Sequence, residues 1–266
     1  MKIKKGYHAV YEENYFRGID DAEKYGFDFA QFDLGVPENF LHDIPRDKLI
    51  DIGKYAQSKG TQLSFHAPAD NIGLFYDYPM IRKSVIDQFR EILGLAELIG
   101  GRHMTFHAGT YSKFKRTGEM ADDTRGEYYE NILYENLKAL LDSSSVMVCI
   151  ENDSLDSTAR RAMQRVINDT GRLYLALDTA KLYKSENNII KDDLDFFRKN
   201  RAFIRELHIH DKNVTFGSHQ TVGSGYVDFT IFREFINENT YLNFEVRPVE
   251  AAKESMERLH KILEDI

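Results

Sequence analysis

The sequence has one cysteine, Cys149, inside an apolar run, so no intrachain disulfide can form. That fits a reducing compartment. No apolar run approaches the ~20 residues that span a bilayer. The start, Met1-Lys2-Ile3-Lys4-Lys5, carries charge but no following apolar region, so no signal peptide and a cytoplasmic location are expected. Basic charge is also scarce. Lysine and arginine number 35 against 43 acidic residues, a net charge of −8. This disfavours nucleic acid as a partner, because phosphate contacts need clustered Lys and Arg. There is no Walker loop, cysteine-rich zinc site or Gly-x-Ser-x-Gly elbow. No linker, charge run or low-complexity stretch divides the 266 residues, so one domain over residues 1–266 is expected. The chain is long enough to bury a large core without disulfides or a structural metal.

What the chain does contain is an alternation of strand-type and helix-type segments. Strands are expected over 3–9, 27–34, 61–67, 102–108, 146–152, 172–178, 203–210 and 241–247. Helices are expected over 15–25, 45–59, 78–99, 124–141, 157–168, 189–201, 228–237 and 249–265. Pro45 suits a first helical turn, Gly60 a C-terminal cap and Asp228 an N-cap. The long polar loop at 109–123 is a candidate to cover a site, and the loop at 211–227 carries His219 with Gly217, Gly223 and Gly225. Eight strands each followed by a helix predict a single (β/α)8 TIM barrel. A doubly wound open sheet fits less well, since no glycine-rich phosphate loop follows the first strand.

The strands share a second pattern. In Leu63-Ser64-Phe65-His66, Met104-Thr105-Phe106-His107, Val148-Cys149-Ile150-Glu151, Leu175-Ala176-Leu177-Asp178, Glu206-Leu207-His208-Ile209-His210 and Leu242-Asn243-Phe244-Glu245, large apolar residues hold one parity. Small or polar residues hold the other and finish in His, Glu or Asp. Side chains alternate across a strand, so these ends project to one side. In a barrel they converge at the C-terminal mouth, where such folds keep their active sites. Glu151, Asp178, His208 and Glu245 fall on four consecutive strands. Three carboxylates at one mouth repel one another unless a cation joins them. Three oxygen ligands and one imidazole suit Mn²⁺, Mg²⁺, Co²⁺ or Zn²⁺. The competing reading pairs these acids with lysine or arginine in a metal-free binding barrel. His66 and His107 hold matching positions, for a second metal or for substrate hydroxyls. His8 and Asp33 end weaker strands. His103 lies at the wrong, N-terminal end of its strand. His42 in a loop and His260 on the last helix are read as unrelated to the site.

Together, Ser64-Phe65-His66-Ala67-Pro68, Phe106-His107-Ala108-Gly109, Ile150-Glu151-Asn152, Leu177-Asp178-Thr179, His208-x-x-Asp211 and Phe244-Glu245-Val246-Arg247 resemble the xylose isomerase-like TIM barrels. That superfamily includes sugar isomerases and epimerases, inosose dehydratase and endonuclease IV. The resemblance implies that Glu151, Asp178, His208 and Glu245 are metal ligands. It implies that His66 and His107 match positions that take an extra zinc in the endonucleases. The endonuclease also needs a histidine three residues past the aspartate and an aspartate two residues before a loop histidine. Here Lys181 and Gly217 stand there, and only His219 is kept, so a trinuclear cluster is not expected. Lys181, His210, His219 and Arg247 are the expected substrate contacts. The expected activity is a divalent-metal-dependent isomerase or epimerase of a sugar or sugar phosphate. Glu151 and Glu245 would be its acid and base, acting through an enediolate. A phosphodiesterase at abasic DNA and an inosose dehydratase-like lyase are the alternatives. A small sugar is the expected partner, a homo-oligomer is an open option, and no membrane is expected.

Overall fold

The computed structural model describes residues 3–69, 72–111 and 125–263. Eight parallel strands close into a barrel: β1 Lys4–Ala9, β2 Phe29–Asp33, β3 Gln62–His66, β4 His103–Phe106, β5 Met147–Glu151, β6 Tyr174–Asp178, β7 Ile204–Ile209 and β8 Tyr241–Phe244. Each pairs in parallel with its sequence neighbours, and β1 pairs with β8 to complete the ring, Tyr7 opposite Phe244. The expected TIM barrel is thus the fold, and the open sheet is excluded.

Around it run α1 Tyr15–Tyr25, α2 Arg46–Lys59, α3 Pro79–Leu98, α4 Gly126–Leu141, α5 Ser157–Thr170, α6 Lys191–Lys199 and α7 Val249–Ile262. Local chemistry sets their ends. Asn14 and Asp156 cap α1 and α5 by accepting the backbone N–H of Arg17 and Ala159. Gly60 ends α2 in the left-handed conformation, at φ 71°, which glycine adopts without a Cβ clash. Pro45 precedes α2 as its N-cap and does not open the first turn. The expected helix at 189–201 begins later, because Ile189 is taken by a hairpin between Tyr183–Ser185 and Asn188–Ile189.

The expected α-helix at 228–237 is a 3₁₀ helix over Phe229–Phe235. Phe229, Phe232 and Phe235 recur every third residue and are all buried. Three residues per turn stack them on one face, which a 3.6-residue helix would splay. Asp228 does cap it, accepting from Thr230 N–H. Most of the expected loop at 109–123 lies outside the described residues, as do Thr124 and Asp265 at two expected helix ends.

Strand parity decides where each side chain goes. Phe65, Met104, Phe106, Val148, Ile150, Leu175, Leu177, Leu207, Ile209, Leu242 and Phe244 join the core between barrel and helices. The opposite parity fills the lumen. Phe29 reaches across it to His103 and Tyr241, with ring centroids 5.8 and 5.4 Å away. A Cβ on Gly6 would collide with that ring, so the glycine makes room for it. Nearby, Glu206 accepts hydrogen bonds from Gln31 Nε2 at 2.7 Å and from Thr105 Oγ1, and His103 Nε2 lies 3.0 Å away. Asn243 Nδ2 donates to Gln31 Oε1 at 2.6 Å. No helix among the described residues is long and apolar enough to cross a membrane.

Candidate active site

The strand ends meet at the C-terminal mouth. His208 occupies its centre and is fully buried. Its Nδ1 lies 3.1 Å from Glu245 Oε1 and 3.6 Å from Glu151 Oε2, while its Nε2 lies 3.1 Å from Glu206 Oε2. Neither nitrogen is aligned for a hydrogen bond. Burial pulls this imidazole down, but the carboxylates of Glu245, Glu206 and Glu151 outweigh it and hold it well above the ordinary histidine value.

Glu151, at the end of β5, is the most crowded acid. Lys181 Nζ donates to its Oε1 at 2.6 Å. His107 Nε2 and His66 Nε2 lie 2.8 and 3.3 Å from its Oε2. Burial pushes the carboxyl up, yet Lys181, His208 and His107 together hold it well below the ordinary value. His66 places its other nitrogen 3.0 Å from Ala67 O, and His107 Nδ1 lies 3.3 Å from Asp153 Oδ2. The two rings stand perpendicular, 5.0 Å apart. Lys181 therefore faces the site. Its backbone N–H donates to Asp178 Oδ1, in the turn after β6.

Asp178 is held by Asn152, which accepts its N–H at 2.6 Å and donates to its C=O at 3.0 Å. His210 Nε2 lies 3.1 Å from Asp178 Oδ2. The backbone N–H of His219 lies 3.0 Å from His210 Nδ1, which is also 3.3 Å from the Asp211 carbonyl oxygen. His219 stacks on His210 at 4.4 Å and sits 3.9 Å from Glu245 Oε2. Partial burial and the neighbouring His210 pull its imidazole below the ordinary value. Its φ of 61° is unusual for a non-glycine residue, and such backbones concentrate at functional sites.

On the far side, His8 Nδ1 lies 3.1 Å from Glu245 Oε1, and His8 Nε2 lies 3.6 Å from Asp33 Oδ2. Burial pulls His8 below its ordinary value, and Arg247 Nη2 donates to its Nδ1 at 3.2 Å. The Arg247 guanidinium lies 5.7 Å from the Tyr11 ring and borders a cleft of about 670 Å³. A second cleft, of about 570 Å³ and floored by Phe75, Tyr76, Tyr111 and Tyr129, flanks Gly109, two residues past His107.

Among the described residues, three donor groups have atoms close enough to share an ion: Glu151, Asp178 and His208; His66, His107 and Glu151; and His210, His219 and Glu245. The first fits a hard divalent cation. It offers two carboxylates and a buried imidazole nitrogen without a hydrogen bond, and Glu245 adjoins that same nitrogen.

Every strand-end residue singled out in the sequence thus lies at the mouth. His103, at the N-terminal end of its strand, is connected to it: it touches Glu206, which in turn touches His208. Glu206 and Asp153 were not anticipated. Glu206 shares the parity of His208 one step deeper, so the signal was present. Asp153 lies past a strand end and carried none. His42, beside Phe40 and Asp43, has no contact with the site.

The fold is thus a parallel barrel whose mouth gathers acids and imidazoles that could hold a metal ion. The chain is a member of the xylose isomerase-like TIM barrel family, whose sequence profile matches residues 19–262. An uncharacterized protein of Methanocaldococcus jannaschii, MJ1614, is 27% identical over 187 residues, 67% of either chain. Among solved structures, D-psicose 3-epimerase from Clostridium cellulolyticum H10 aligns with a TM-score of 0.72 and 15% identity, over 98% of this chain and 100% of that one. The 3-keto-D-glucoside 4-epimerase YcjR from E. coli aligns at 0.73 and 19%, over the same shares. At such identities the likeness establishes the architecture alone.

Proposed function

We propose that this chain is a divalent-metal-dependent isomerase or epimerase of a sugar or sugar phosphate. The observation that carries the reading is that Glu151 and Glu245, from β5 and β8, both reach Nδ1 of His208. Two carboxylates from separated strands thereby flank one point. Glu151, Asp178, His208 and Glu245 would hold the ion. When bound, it would neutralise the oxygens that gain charge as a proton leaves the carbon beside a carbonyl. One glutamate removes that proton and the other returns one. Return to the opposite face gives epimerisation, and return to the neighbouring carbon gives aldose–ketose isomerisation. A positioned general base contributes about 10²–10⁴-fold. That the two structural neighbours are sugar epimerases supports a sugar as substrate. In this reading His66 and His107, beside Glu151, would meet substrate hydroxyls, as would His210, His219 and Arg247 around Glu245.

The test is incubation in D₂O with a panel of ketoses and ketose phosphates. Deuterium should enter the carbon beside the carbonyl, and Glu151→Gln and Glu245→Gln should each stop the exchange. Cleavage of abasic DNA with no sugar exchanging would replace this reading with a phosphodiesterase.

A further inference from the structure

The His66, His107 and Glu151 group has the composition of a second metal site, with ligand atoms within 4.8 Å of one another. It already contains a positive charge. Lys181 Nζ lies 2.6 Å from Glu151 Oε1, 3.3 Å from His107 Nε2, 3.5 Å from Asp153 Oδ1 and 3.9 Å from Asp178 Oδ2. We propose that the Lys181 ammonium is the resident cation of this pole, tethered there in place of a second metal ion, so that the centre takes one ion and not two.

Two features support this. First, the ammonium is directed at the group's own ligands. It touches Glu151 and His107, which are two of the three donors a second ion would need. An ion there would sit within a few ångströms of a fixed positive charge, and like charges so close disfavour each other strongly. Second, the tether is short and fixed. The Lys181 N–H is bound to Asp178 Oδ1, as is that of Ala180, so the turn that launches the side chain is anchored to the adjacent acid. A lysine is also a hydrogen-bond donor with no acceptor capacity. At this pole it would meet a substrate oxygen by hydrogen bonding, where a metal would coordinate it.

The inference rests on the four-ligand reading above, and metal stoichiometry separates the two. Protein freed of metal with a chelator is titrated with ZnCl₂ by calorimetry, and the ions retained after desalting are measured by elemental analysis. The wild type should retain one zinc per chain. Lys181→Met should retain two, and His107→Ala added to it should return the count to one. Lys181→Arg, which keeps the charge, should stay at one and serves as the control if the methionine variant folds poorly; two ions in the arginine variant would count against the proposal. Two ions in the wild type, or one in a folded Lys181→Met, would overturn the inference and leave the four-ligand site standing. No ion in any of them would overturn both.

Discussion

Glu206 and His208 lie two residues apart on β7 and face the lumen together, with Oε2 of one 3.1 Å from Nε2 of the other. The carboxylate thus sits behind the imidazole while Nδ1 turns toward Glu151 and Glu245. Burial pushes Glu206 up, but His103 and His208 outweigh it and keep it ionised. A carboxylate behind a metal-type histidine fixes the ring and raises its basicity. Glu206→Gln keeps the shape and removes the charge. It should weaken Mn²⁺ binding about 10–100-fold, read by calorimetric titration. Affinity within twofold of the wild type would reduce the contact to packing.

Loss of a direct ligand should be harsher. Glu245→Gln replaces an anionic oxygen beside His208 Nδ1 with a neutral amide, and hard cations prefer the anion. The purified variant should carry substantially less metal than the wild type. Equal stoichiometry in elemental analysis would remove Glu245 from the ligand set.

The loop after β7 depends on one buried acid. Asp211 accepts the backbone N–H groups of Lys212 and Val227 through Oδ1 and those of Gly223 and Gly225 through Oδ2. Asp211→Ala should cost about 2–4 kcal/mol, since several donors lose their partner together. Gly225→Ala should cost about 1–3 kcal/mol by overpacking, because its Cβ would run into Asp211 and the Lys212 carbonyl. Urea denaturation measures both. A loss below about half a kcal/mol would mean that the loop adjusts freely.

One stability term should depend on acid. Glu130, on α4, binds Arg161 and Arg165 of α5 at 2.7 and 3.0 Å. Burial pushes its carboxyl up, but the two guanidinium groups outweigh this and hold it below the ordinary 4.5. A carboxyl depressed on folding stabilises above the ordinary value, and that contribution is lost as pH falls through the folded value. Glu130→Gln should therefore cost about 0.5–1 kcal/mol at pH 7, the arginines being half exposed, and almost nothing well below pH 4. A pH-independent difference would trace the effect to packing.

The barrel was legible in the sequence because parity is a strong signal. Phe65 or Leu177 cannot share a face with His66 or Asp178, so each strand declares its two sides. The mouth was legible because the alternation ends in a titratable residue on strand after strand. The lower lumen was not. His103 was set aside for lying at the wrong strand end, yet a closed ring brings residues of distant strands together, and Glu206 meets it across the lumen. Nor does a sequence reveal which way a lysine in a turn will point, and the direction of Lys181 follows from the anchoring of its backbone on Asp178. The three-residue phenylalanine spacing from Phe229 to Phe235 was readable, but it was overridden by the assumption that a barrel strand is followed by an α-helix.

The polar lumen also bears on how the ring assembles. Gln31 of β2 and His103 and Thr105 of β4 all converge on Glu206 of β7. If β7 slipped by one residue, every side chain on it would change face. Glu206 would turn into the apolar layer beneath the helices, while Gln31, His103 and Thr105 on the unmoved strands would lose their acceptor. A slipped register thus strands an ionised group among Leu and Phe side chains, a far larger penalty than a misplaced methyl group. Misassembled rings are rejected by charge as well as by shape.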